Sequence, residues 1–68
     1  MWRLCLNKAS IYRTYPTLEE AQYYLEKEVV ASIERGNQIE WRKENRVELV
    51  KHGKKVWREK FWIARTDE

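Results

Sequence analysis

Arg42, Arg46, Lys60 and Trp62 are the side chains of this sequence best suited to acting on a partner. Arginine and lysine neutralise phosphates, and an exposed indole stacks on a base. Basic residues interleaved with an aromatic on an open surface therefore suit a nucleic acid, single strands more readily than duplex. Arg58 belongs to the same set, and Lys51, Lys54 and Lys55 cluster where they would extend the contact. Trp, Tyr and Arg are also the residues enriched at protein interface hot spots, so a protein-binding or inhibitory module is the competing expectation. A structural role for Trp62, folded over Arg46 in a cation–π contact, is the third.

Catalysis is not expected. His52, the one histidine, sits among Lys51, Gly53, Lys54 and Lys55 with no carboxylate placed by sequence to orient it. Cys5 is alone, which rules out an intramolecular disulfide and a cysteine-based zinc site, and no helix N-terminus activates it. The glutamates of the middle third have no histidine or cysteine at ligand spacing and read as a solvated face. No metal or cofactor is implied.

The elements that must position the basic set are strands. Ile39 and Trp41 alternate with Gln38, Glu40 and Arg42; Val47 and Leu49 with Arg46, Glu48 and Val50; Trp57, Phe61 and Ile63 with Arg58, Lys60 and Trp62. A period of two over three successive runs marks strands buried on one face. Lys43-Glu44-Asn45 and His52-Gly53-Lys54 break the runs, with Asn and Gly suited to positive φ. Parity then fixes an expected register, because a one-residue slip sends a whole apolar set to the wrong face. A three-residue loop at 52–54 sets Leu49 opposite Trp57 and Glu48 opposite Arg58. A loop at 43–45 sets Trp41 opposite Val47, Ile39 opposite Leu49 and Arg42 opposite Arg46. The outer face should then carry a row of Arg42, Arg46 and Lys60 edged by Trp62, beside a row of Glu40 and Glu48 that Arg58 neutralises only in part.

The chain opens on alternation of Trp2, Leu4 and Leu6 with Arg3, Cys5 and Asn7. A turn at Asn7 to Ser10 and a second strand from Ile11 to Tyr15 complete a hairpin, with Ile11 and Tyr15 inward, Arg13 at the margin, and Tyr12 and Thr14 outward. Pro16 ends it. Thr17-Leu18-Glu19-Glu20 fits a capping box, so a helix should start there and run to Arg35, with Gly36 as its left-handed stop. Leu18, Ala21, Leu25, Val29, Ser32 and Ile33 share one stripe at helical spacing and should lie on the sheet. Tyr23 and Val30 fall among glutamates on the opposite side, an exposed apolar pair and a possible second interface. Thr66-Asp67-Glu68 should fray.

With 68 residues the chain is one domain near the lower limit for folding on a hydrophobic core alone, and its nine aromatics help explain how it manages. Charged residues make up 37% and mean hydropathy is −0.89, polar but too aromatic for a disordered chain. Net charge is +3, unevenly spread. From Thr17 to Arg35 five glutamates face Lys27 and Arg35, a net of −3, while the remainder holds 12 basic against 6 acidic residues. An electrically two-sided molecule is the expectation, able to stay monomeric or to close a homodimer, acidic helix to basic face. An exposed edge strand offers strand addition as another route to a protein partner. No apolar run suits a signal peptide or a membrane span, so a cytoplasmic setting without membrane insertion is expected.

In size and style the chain resembles the compact, self-contained open reading frames common in bacteriophages, a likeness that implies a host-interaction role with a protein partner. The residues themselves point to an α+β fold of order ββαβββ, one antiparallel-rich sheet with a single helix on one face. They point to a non-enzymatic binding protein that uses the outer sheet face, for nucleic acid ahead of protein. Strand order does not follow from pattern.

Overall fold

The protein, in a computed structural model, is described over residues 1–6 and 12–66. The expected turn at 7–10, the facing of Ile11 and of the Tyr12 side chain, and the frayed end at 67–68 lie outside the described residues. Strands β1 (Trp2–Leu6) and β2 (Tyr12–Tyr15) precede helix α1 (Leu18–Glu34), and β3 (Gln38–Lys43), β4 (Arg46–Lys51) and β5 (Trp57–Arg65) follow it. All strand pairs are antiparallel, in the order β2-β1-β5-β4-β3. The first and last strands are thus neighbours at the middle of the sheet, and Thr66 N donates to Met1 O at 3.0 Å where the termini meet. The helix links one edge strand to the other across a single face. The other face has no element over it among the described residues.

Local chemistry sets the helix ends. Thr17 is extended at φ −126°, and its Oγ1 accepts from Glu20 N at 3.2 Å, the first half of the expected capping box. At the far end Gly36 takes φ +97°, its amide donates to Ile33 O, and Asn37 N donates to Ser32 O. That pair of bonds is a Schellman stop, which needs a left-handed residue after the cap and finds it in glycine. Asn37 Nδ2 adds a second bond to Ser32 O at 3.0 Å.

The core forms where the helix stripe meets the sheet. Ala21, Leu25 and Val29 pack with Leu4, Val47, Leu49, Phe61 and Ile63, and Trp2, Leu6, Tyr15, Leu18 and Tyr24 close the margins. Tyr15 stacks on Tyr24 with ring centroids 4.8 Å apart, tying β2 to the helix. Ile33, expected in the stripe, is exposed, because the helix stops over the polar end of the sheet and the buried position there goes to Ser32. Ser32 Oγ donates to Glu59 Oε2 at 2.8 Å, and Arg35 Nη2 reaches the same oxygen at 3.0 Å. Glu59, on the inward face of central β5, is only 2% exposed, and these donors make its burial tolerable.

The register differs from the expected one in two instructive ways. Between β4 and β5 the pairs are Leu49 with Glu59, Val47 with Phe61 and Lys51 with Trp57, a two-residue shift that lengthens the loop to 52–56. Such a shift keeps every residue on its expected face and places Phe61 opposite Val47 under the helix. Glu48 still meets a cation, Lys60 at 3.7 Å instead of Arg58. Between β3 and β4, Ile39 pairs with Leu49 as expected, but Trp41 faces Glu48 and Arg42 faces Val47. A bulge at Glu40 accounts for the change: two residues of β3 oppose one of β4, so the alternation resets within the strand. The turn is then the two residues Glu44-Asn45, and Asn45 keeps negative φ, contrary to expectation. It is held from outside the hairpin: Asn45 Oδ1 accepts from Gln22 Nε2 at 2.9 Å, and Asn45 O accepts from Ile63 N at 2.8 Å.

Candidate nucleic-acid interface

The bulge decides which side chains share the open face. Arg42, expected in the outer basic row, lies on the helix side opposite buried Val47 and forms an ion pair with Glu26 of α1. Its place is taken by Trp41 and Lys43. Trp41 is 39% exposed, with the Arg46 guanidinium 5.9 Å and the Lys43 ammonium 5.8 Å from its ring. Trp62 stands directly opposite Arg46 on β5. Trp41, Lys43, Arg46 and Trp62 therefore line one shallow groove of about 510 Å³, with Glu44, Asn45 and Ile63 at its rim.

Lys43 and Arg46 have no carboxylate partner among the described residues, so their charge is available to the solvent side. The like-charge pair expected of Arg42 and Arg46 across the strands exists with Lys43 in the place of Arg42. Like charges on facing residues are mildly repulsive, and the negative face of the Trp41 ring, within about 6 Å of both heads, offsets part of that.

Farther along the face the charges are matched. Arg58 of β5 pairs with Glu40 of β3, reaching across β4. Val50, directly opposite Arg58 and on the outer face, is 4% exposed under these long side chains, which cover an apolar residue with their stems while keeping their heads in water. Lys60 meets Glu48. Both acids of the outer row thus have cation partners, where Arg58 alone had been expected to serve them. Arg58 and Lys60 lie on the outer face as anticipated, Lys60 one same-face pair along from Arg46 and Trp62 and Arg58 a further pair away.

Lys51 lies on the helix side of the sheet, where its Nζ donates to Arg35 O at 3.3 Å. Lys54 and Lys55 project at the hairpin tip beside Trp57, at 60% the most exposed large apolar residue among those described. Six of the eight expected site residues accordingly fall into two groups at opposite ends of β4, Arg46 and Trp62 at its start and Lys51, Lys54, Lys55 and Arg58 near its end, with Lys60 between them and Arg42 on the helix side. Alternation alone missed Trp41 and Lys43, since it puts Trp41 inward. The usable signal was the short Glu44-Asn45 turn, which demands Arg42 opposite Val47 and hence a bulge upstream.

On the far side of the helix, Tyr23 and Val30 are exposed as expected and line a groove of about 380 Å³ with Glu26, Lys27, Ala31 and Glu34. Lys27 lies over the Tyr23 ring at 4.9 Å. Cys5 sits on the outer face opposite Trp62. Burial pushes its thiol above the ordinary range, with the Arg3 guanidinium pulling partly back. A raised thiol is a poor nucleophile at neutral pH. Among the described residues no group of three or more His, Cys, Asp or Glu is placed to hold a metal ion, and no helix is long and apolar enough to cross a membrane.

Fold and groove define a small α+β protein with a one-sided sheet and an aromatic, basic patch on its open face. The chain matches no family model, no curated protein and no solved structure.

Proposed function

We propose that the protein is a non-enzymatic binding module that takes single-stranded nucleic acid on the outer sheet face. Bases stack on Trp41 and Trp62, while Arg46 and Lys43 meet the phosphates, with Lys60 and Arg58 contributing weaker, already matched charge. The observation that carries this reading is the shared groove: two indoles and two cations without carboxylate partners line one open depression. Stacking is worth about 1–3 kcal/mol per base and tolerates any sequence, so the expected behaviour is low base preference. Single strands fit better than duplex because an open, nearly flat patch reaches splayed bases, not base edges inside a groove.

The test is fluorescence anisotropy of a labelled single-stranded oligonucleotide with the protein, across a salt series. Two to four phosphate contacts predict a log–log salt slope of about −1.4 to −2.8. Binding that ignores salt, or that prefers duplex, would count against the reading.

A protein partner is the second reading, and Tyr23 with Val30 favours it. Both are more than half exposed beside an apolar-walled groove, the kind of anchor a protein interface uses. In that case affinity falls little with salt, and Tyr23→Ala weakens it while Arg46→Glu does not.

A further inference from the structure

The helix ends before the β4–β5 hairpin does, and the sheet beyond it is left with a pocket of about 380 Å³ lined by Arg35, Asn37, Lys51, Trp57, Arg58 and Glu59. Two of its cations, Arg35 and Lys51, lie on the helix side and keep donors in reserve, while Arg58 turns to the outer face. Arg35 is fixed through Nη2 by both oxygens of buried Glu59. Lys51 gives one N–H to Arg35 O, and Arg58 gives Nη1 to Glu40. A guanidinium has five donors and an ammonium three, so most remain for a ligand.

Glu59 makes the arrangement more than a surface cluster. A carboxylate buried on the central strand of so small a core is seldom favoured on stability grounds, since an apolar residue of similar volume usually does as well. What it does achieve is to hold Arg35 at a fixed angle, and pre-ordered guanidinium is the group that best matches phosphate oxygens. With Arg58 matched by Glu40 on the outer face, Arg35 and Lys51 against Glu59 leave one positive charge on the helix side to meet the roughly −1.5 to −2 charge of a phosphate monoester. Trp57 supplies a flat, exposed wall for an aromatic ring.

We infer that this pocket binds a nucleoside phosphate, the base against Trp57 and the phosphate between Arg35 and Lys51 on the helix side of the sheet. The source is either a free mononucleotide or the phosphorylated end of a strand, which share this chemistry. The inference is separate from the Trp41–Trp62 groove, since none of the lining residues borders it and Arg58, the one that lies on the outer face, takes no part in holding the phosphate.

The experiment is isothermal titration calorimetry at low salt with adenosine 5′-monophosphate, adenosine and inorganic phosphate. The monophosphate is expected to bind at least about tenfold more tightly than either fragment, as stacking and phosphate contacts combine. Lys51→Met and Trp57→Ala, both at exposed positions, should each weaken it about tenfold or more, with circular dichroism confirming the fold. Equal affinity for the three probes, or wild-type affinity in both variants, overturns the inference. A 5′-phosphorylated oligonucleotide binding about tenfold better than its 5′-hydroxyl form identifies a strand end, and no difference alongside tight mononucleotide binding identifies the free ligand. The 5′-hydroxyl strand reports the outer face separately. Its failure with the mononucleotide still bound removes only the outer-face reading, and the converse removes only the pocket.

Discussion

Ser32 Oγ donates a 2.8 Å hydrogen bond to Glu59 Oε2, joining the last turn of the helix to the central strand inside the protein. With Arg35 as second donor it converts a costly buried charge into a fixed point of the fold. Ser32→Ala leaves that carboxylate short of a partner and should destabilise the protein by about 1–3 kcal/mol in urea unfolding. Glu59→Leu combined with Ser32→Ala should recover most of the loss, because an apolar pair has nothing left unsatisfied. A double variant no more stable than Ser32→Ala would show that the network is not what sets stability here.

The Glu40 bulge makes a sharp distinction between two arginines four residues apart. Arg46→Glu should weaken the proposed single-strand binding by about tenfold or more, since it would remove the phosphate contact assigned to Arg46 and install a repulsive charge. Arg42→Glu acts on the other side of the sheet beside Glu26, so its effect on binding should be at least about fivefold smaller. Its cost in stability should stay below about 1 kcal/mol, because the pair is exposed. Equal losses of affinity would place Arg42 back on the outer face and remove the bulge.

Trp41→Ala and Trp62→Ala should each reduce strand affinity by about 1–3 kcal/mol in the same anisotropy assay. Both indoles should contribute, as they line one groove. Loss from Trp62→Ala with none from Trp41→Ala would return Trp41 to a packing role.

Gly36→Ala should destabilise by about 1–2 kcal/mol. The cause is conformational: φ is +97°, while an added Cβ would meet only Lys51 Cε at 3.6 Å, an ordinary contact. A smaller midpoint shift in urea would mean that the Schellman stop rearranges at little cost.

Cys5 should alkylate with iodoacetamide at pH 8 more slowly than a free cysteine and speed up once urea unfolds the chain. Its thiol is raised by burial, so less thiolate is present at a given pH in the folded state than in the unfolded one. Stability should correspondingly decline as pH rises beyond the ordinary thiol range, where the unfolded state ionises first. Faster reaction in the folded protein would reverse the sign.

Much of this molecule was legible in its residues because the information is local. Thr17 with Glu20 and Gly36 announce the ends of one helix through bonds made within a few residues, and alternation in 46–51 and 57–63 assigns faces that survive even a two-residue change of register. The exposed pair Tyr23 and Val30 follows from helical spacing alone.

Tertiary structure decided the rest. Strand order depends on β1 finding β5, a pairing between opposite ends of the chain that no local pattern encodes. The bulge at Glu40 reconciles a two-residue turn, tethered by Gln22 and Ile63, with Ile39 lying opposite Leu49, and the conflict arises only once all four elements are assembled. So the sequence determined that one face of the sheet would be open and basic. Which tryptophan and which cations share its groove was settled by packing, because a single inserted residue exchanges Arg42 for Trp41 through contacts distant in the chain.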